Sequence, residues 1–185
     1  MQSCDRHLFS GAPAKYTAEM SHRKTVLRAA AAAALMGGLA YTGTATADAD
    51  PNDTLAAALS KGYSLSNCTV KDPPPGVAAA INCGQNADPA GPVKATYLLY
   101  NNSNDLSAGF TASIKDEALT ACGDSGQSPT TWHQGNGGTA GQVACGIYQD
   151  AAEIIWTTDA KNVLSYIRAS NADVPALYQW WKTNG

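Results

Sequence analysis

The pattern of apolar and polar positions reads as a mixture of helices and short strands. Asp50-Pro51-Asn52-Asp53 opens a helix, with Asp50 as cap and Leu55, Ala58 and Leu59 at helical spacing until Gly62. Lys71 to Gly76, with three consecutive prolines, is a stiff loop. Val77 to Cys83 and Val93 to Tyr100 read as strands, the second with Val93, Ala95, Tyr97 and Leu99 on one face. The turn-rich Gln85 to Pro92 joins them as a hairpin. Asn102 or Ser103 caps a second helix carrying Leu106, Phe110 and Ile114. Leu119 to Cys122 is an extended segment, and Gly123 to Ala140, rich in glycine, is the least structured stretch. Gln142 to Tyr148 and Glu153 to Thr158 form a second hairpin around Gln149-Asp150. Thr158 or Asp159 is expected to cap a third helix with Val163, Leu164 and Ile167. Asp173 caps a fourth, with Pro175 in its first turn and Val174, Leu177, Tyr178 and Trp181 on one stripe. The expected fold class is α+β: a single small domain, an antiparallel sheet from two hairpins with helices packed on a face, and two disulfides.

The N-terminal part carries a different pattern. Ser21-His22-Arg23-Lys24 is basic, Ala29 to Ala40 is almost wholly Ala, Leu, Met and Gly, and Ala45-Thr46-Ala47 fits an A-x-A cleavage site. Together these define a secretory signal peptide over residues 20–47. Residues 1–19 are expected to be an upstream extension or a mis-assigned start, with Met20 as initiator. The mature product would be a secreted domain over residues 48–185, with no lipid-modified cysteine and no membrane anchor after cleavage. With five of the 12 basic and two of the 15 acidic groups removed, it keeps 7 and 13, a net charge of −6. That sign disfavours nucleic acid as a partner. No apolar run reaches the roughly 20 residues that span a bilayer.

Export changes the reading of the cysteines. Cys4 leaves with the leader, and Cys68, Cys83, Cys122 and Cys145 remain. An even number in an oxidising compartment reads as two disulfides, with three possible connectivities. Cys68–Cys83 and Cys122–Cys145 is the expected one, because each pair is nearest in sequence and brackets a turn-rich stretch. No metal site is expected: there is no CxxC, and His133 is the sole mature histidine.

Candidate chemistry is sparse. Gly123-Asp124-Ser125-Gly126 echoes a serine-protease nucleophile motif, but that chemistry needs a base and an orienting carboxylate. Gly135-Asn136-Gly137-Gly138-Thr139-Ala140 fits a dinucleotide-binding pattern formally but lacks the strand–turn–helix setting, so no cofactor is expected. His133 carries an imidazole, a common general base, and Ser125 or Glu153 could serve with it in a small hydrolase. Trp132, His133 and Trp180 are candidate binding residues. Helical spacing turns Trp180 away from the apolar stripe, which makes it the candidate for exposed apolar surface.

Several segments carry a resemblance. They are Thr96-Tyr97-Leu98-Leu99-Tyr100, Cys122, Trp132, Gly141-Gln142-Val143-Ala144-Cys145, Ile154-Ile155-Trp156-Thr157-Thr158-Asp159 and Leu177-Tyr178-Gln179-Trp180-Trp181. Over Gly62 to Trp181 the chain resembles small secreted proteins of mycobacteria. It is also similar to the extracytoplasmic C-terminal region of actinobacterial membrane-anchored serine/threonine kinases. The chain lacks the Gly-rich loop, V-A-I-K lysine, H-R-D and D-F-G of a kinase, so the resemblance implies a sensor-like region without phosphotransfer. The expected function is therefore a secreted, disulfide-stabilised binding or sensor-like domain whose ligand is a small molecule, a cell-wall fragment or a protein. The alternatives are a small extracytoplasmic hydrolase using His133, and a structural or host-facing surface protein.

Overall fold

A computed structural model describes residues 49–135 and 137–185; the expected upstream extension, signal peptide and cleavage site lie outside them. Among the described residues there are three helices, α1 (Pro51–Ala56), α2 (Ser103–Ser113) and α3 (Val174–Asn184). Eight strands are present: β1 (Cys68–Lys71), β2 (Val77–Cys83), β3 (Lys94–Tyr100), β4 (Ala118–Thr120), β5 (Thr130–His133), β6 (Thr139–Tyr148), β7 (Ala151–Thr158) and β8 (Val163–Arg168). They form one antiparallel sheet in the order β1-β2-β3-β8-β7-β6-β4, with β5 sharing the β6 edge with β4. This is an α+β domain.

The helix starts follow from their caps. Asp50 Oδ1 accepts from Asn52 N at 2.8 Å, Asn102 Oδ1 from Asp105 N at 2.9 Å and Asp173 Oδ1 from Ala176 N at 3.0 Å. Each satisfies a backbone N–H that the first helical turn leaves without a partner. The β6–β7 hairpin turns on Gln149 and Asp150, both left-handed at φ 46° and 61°, as a tight hairpin with matched twist requires. Both expected disulfides are present. Cys68–Cys83 ties cross-strand partners of β1 and β2, and Cys122–Cys145 ties the segment after β4 to β6. Two disulfides mark an oxidising setting. No helix among the described residues is long and apolar enough to cross a membrane.

Three local expectations are corrected. The helix expected from Thr158 or Asp159 is a single 3-10 turn (Asp159–Lys161) that Asn162 ends at φ 52°, and Val163–Arg168 is strand β8. β8 is the fourth strand from the β1 edge, at the centre of the sheet, with apolar neighbours on both faces, so its apolar run lacks alternation and period alone cannot tell strand from helix. The stretch 123–140 contains β5, which pairs with β6. The helices cover both faces of the sheet, not one. α1 and α3 pack on the face of Ala79, Ile81, Tyr97, Ile154 and Trp156, while α2 covers Ala144, Ile155 and Leu164 through Leu106 and Phe110.

The first face is filled by a continuous row of aromatic rings. Tyr63, Tyr97, Trp156, Trp181 and Trp132 follow one another edge to face at centroid separations of 6.2, 6.4, 5.9 and 5.7 Å. Tyr178 stacks on Trp181 at 5.4 Å. The Tyr97 hydroxyl, buried among them, donates to Ser60 Oγ at 2.9 Å and accepts from Ser60 N at 3.2 Å. Trp132 Nε1 donates to Thr157 O at 2.7 Å. That carbonyl would clash with a Cβ on Gly141, so β6 and the Thr157 backbone approach closely only because residue 141 is glycine.

Two substitutions test this packing by urea unfolding. Trp181→Ala removes the ring that joins α3 to the sheet and is expected to cost about 3–5 kcal/mol. Gly141→Ala forces the backbone apart and is expected to cost about 1–3 kcal/mol.

Candidate functional site

α1 and α3 both pack on the aromatic face of the sheet, whereas α2 alone packs on the other. α2 has 11 residues and is therefore about 16 Å long. The sheet is seven strand positions wide, about 29 Å at the usual strand spacing. One short helix cannot cover that width, and part of the α2 side stays open beside β3 and β8.

Side chains alternate along each strand, so Lys94, Thr96 and Leu98 of β3 point to the α2 side, as do Tyr166 and Arg168 of β8 and Glu153 of β7. They line a cavity of about 230 Å³. The register sets them in two rows across the strands. Thr69, Asn82, Thr96 and Tyr166 occupy successive partner positions, and so do Lys94, Arg168, Glu153 and Gly146. Leu98 and the Tyr166 ring supply an apolar wall, and the Tyr166 hydroxyl is hydrogen-bonded to Ser113 Oγ at the end of α2.

The second row is a charge cluster. Arg168 Nη1 donates to Glu153 Oε1 at 2.5 Å, and Nη2 donates to Gln149 O at 3.1 Å. The guanidinium also lies over the Tyr148 ring at 5.7 Å. Glu117, just before β4, adds a second carboxyl beside Glu153. A Cβ on Gly146 would sit 3.0 Å from Glu117 Oε2, so glycine at this position makes room for the carboxyl. That oxygen is buried and accepts from no donor among the described residues. Ionised, it would face the Glu153 carboxylate with only partial compensation from Arg168; protonated, it donates to Glu153. Burial first, then the charge of Glu153 and the hydrogen bond to it, push the Glu117 pKa up from 4.5 to about 7, against a weaker lowering by Arg168.

The residues singled out from sequence are not brought together. His133 is exposed on the edge strand β5 and pairs with Thr139, whereas Glu153 pairs with Gly146. Seven residues of β6 separate those positions, roughly 23 Å at strand rise. The Ser125 hydroxyl is turned into its own loop, on Cys122 O at 2.8 Å and Gln127 O at 2.9 Å, and holds no contact with a base. Trp132 is half-buried and anchors β5 to Thr157. Trp180, expected on the surface, is buried: the loop over residues 85–92 covers it, and its Nε1 donates to Asp88 Oδ2 at 3.0 Å. The apolar patch on which a surface-protein reading depended is therefore absent at Trp180. Among the described residues no cluster of His, Cys, Asp or Glu has the number and proximity to hold a metal.

Sequence reasoning missed Glu117, Lys94, Thr96, Tyr166 and Arg168. Taking Val163–Arg168 as helix hid that Tyr166 and Arg168 share a face with Lys94 and Thr96. The usable signal was polar residues at alternate positions: Lys94 and Thr96 at the start of β3, Tyr166 and Arg168 at the end of β8.

Glu117 sets a pH dependence with a definite sign. The folded state holds this proton to higher pH than the unfolded chain does. The stability it contributes is complete below pH 4.5 and is lost as pH rises to about 7. Urea midpoints of the wild type, referred to those of Glu117→Gln, are expected to fall across that interval; a flat difference refutes the shared proton. His133→Ala, at an exposed position, is expected to shift stability by less than about 0.5 kcal/mol in the same measurement.

No protein-family model matches the chain, and neither a curated protein nor a solved structure is detectably similar to it.

Proposed function

We propose that this protein is a secreted, disulfide-stabilised binding or sensor-like domain whose binding site is the open cavity over β3, β8 and β7. The observation that carries the reading is the set of polar groups presented there without internal partners. Lys94 and Thr96, which line the cavity, make no side-chain hydrogen bonds among the described residues. A sheet face built only for packing would be apolar and covered. This one combines an apolar wall with a few convergent polar groups, the usual make-up of a small-ligand site. The leader pattern and the two disulfides support an extracytoplasmic location. The resemblance to kinase extracytoplasmic regions fits a role in sensing a ligand, and the ligand classes remain a small molecule, a cell-wall fragment or a protein. The distance along β6 between the partners of His133 and Glu153, and the Ser125 hydroxyl held on its own loop, count against the hydrolase alternative.

Two measurements test this. The purified protein, immobilised and exposed to cell-wall extract, is expected to retain a species identifiable by mass spectrometry. Lys94→Ala/Thr96→Ala is expected to lower that retention at least about tenfold, the scale of two polar contacts. Undiminished retention by the variant, or none by the wild type, refutes the site. Fractionation of producing cells is expected to place the protein outside the cytoplasm with Cys68, Cys83, Cys122 and Cys145 resistant to alkylation. Alkylatable cytosolic protein refutes secretion.

A further inference from the structure

We infer that the cavity takes an anionic group, a carboxylate or a phosphate, on Lys94 and Arg168, and that a proton held between Glu117 and Glu153 governs that binding. This rests on the reading of the cavity as a binding site and names its ligand chemistry and its control.

The charges along one row decide the ligand class. Lys94 and Arg168 are cross-strand partners on β3 and β8, and Glu153 follows on β7. Lys94 is exposed and makes no ion pair among the described residues. Arg168 uses one guanidinium nitrogen on Glu153 and the other on Gln149 O, which leaves further N–H groups of its five free. Thr96 and Tyr166 bring hydroxyls to the same cavity. Two formal positive charges against the one of Glu153 leave an excess of one, beside the apolar Leu98 and Tyr166 ring, where electrostatic attraction is screened less than in bulk water. A single anionic group complements that excess.

The adjoining carboxyl makes the excess conditional. Glu117 feels Glu153 from β7, Arg168 from β8 and Asp116 beside it in the chain; β6 opposes it with Gly146, which has no side chain. The Tyr148 ring lies under Arg168, and Tyr166 feels Glu153. With Glu117 protonated, Glu153 is shared between one proton donor and Arg168, and the row keeps its net positive charge. With Glu117 ionised, two carboxylates face one guanidinium, the excess vanishes, and an anion meets a neutral row. Burial around Glu117 places that change near neutrality.

Amide chemical shifts of the purified full chain test this with three named probes: N-acetylglycine, its neutral amide N-acetylglycinamide, and inorganic phosphate. N-acetylglycine is expected to shift the amides of Lys94 to Leu98 and Tyr166 to Arg168, and the neutral amide is not. Its affinity is expected to be roughly tenfold higher at about pH 5.5 than at about pH 8.5, the effect of one formal charge in a partly screened site. Glu117→Gln is expected to hold the low-pH affinity at both values. Lys94→Ala, at an exposed position, is expected to weaken the anion at least about tenfold at low pH. The tighter of N-acetylglycine and phosphate identifies which anion the site prefers. The inference is overturned if neither anion moves those amides, if the neutral amide binds as well, or if the pH dependence persists in Glu117→Gln. Should both anions fail while Lys94→Ala/Thr96→Ala still abolishes retention of the extract species, the cavity stands as a site and only its anionic character falls.

Discussion

The row of aromatic rings from Tyr63 to Trp132 is the constraint on which the other features rest. Its rings come from five separate parts of the chain: the segment after α1, β3, β7, α3 and β5. Edge-to-face contact fixes each ring's position and tilt, not merely its burial. Trp181 is the junction, because it touches Trp156, Trp132 and Tyr178. One disulfide ties the β1 edge to β2, and the other, fully buried within this core, ties the segment after β4 to the middle of β6. Each shortens the loops available to the unfolded chain, an effect of roughly 3 kcal/mol per bond on a chain-entropy estimate.

Committing both larger apolar contributions, α1 with its following segment and α3, to one face leaves the other face to α2 alone. α2 packs on β7, β8 and β3, and its end reaches the margin of β6 through Glu117. The open area beside it is a consequence of helix length against sheet width. Polar side chains at alternate positions of β3 and β8 then make that area a site and not an exposed apolar patch. The Arg168–Glu153 ion pair is partly exposed, so its own contribution to stability is small. Its interest lies in fixing Glu153 next to Glu117, where two carboxyls compete for one guanidinium.

Legibility varied with how local the signal was. The caps at Asp50, Asn102 and Asp173 were readable because capping depends on a side chain and the backbone two or three residues away. Strand β3 was readable from alternation, and the β6–β7 hairpin from two apolar runs around a short polar turn. β8 was misread because it is buried on both faces: Val163, Ser165 and Ile167 face the aromatic core, while Leu164 and Tyr166 meet α2. Trp180 was misplaced for a related reason. Helical spacing describes one apolar stripe, but α3 is flanked on a second side by the loop bearing Asp88, which buries a residue off the stripe. The site was hidden by the same error, since its members come from β3, β7, β8 and the turn before β4.

The sequence by itself determined the α+β class, the positions of the caps and turns, the cysteine pairing expected from proximity, and the acidic charge balance of residues 48–185. Those depend on composition or on contacts within a few residues. The tertiary structure alone decided which face stays open, that Trp180 is buried while His133 is solitary, that Lys94, Arg168 and Glu153 share one row, and that the Glu117 carboxyl reaches the end of that row beside Gly146. The physical reason is strand order. β3 neighbours β8 only because α2 carries the chain across to the far edge, and an ordering set by packing across the whole sheet leaves no trace in the spacing of residues along the chain.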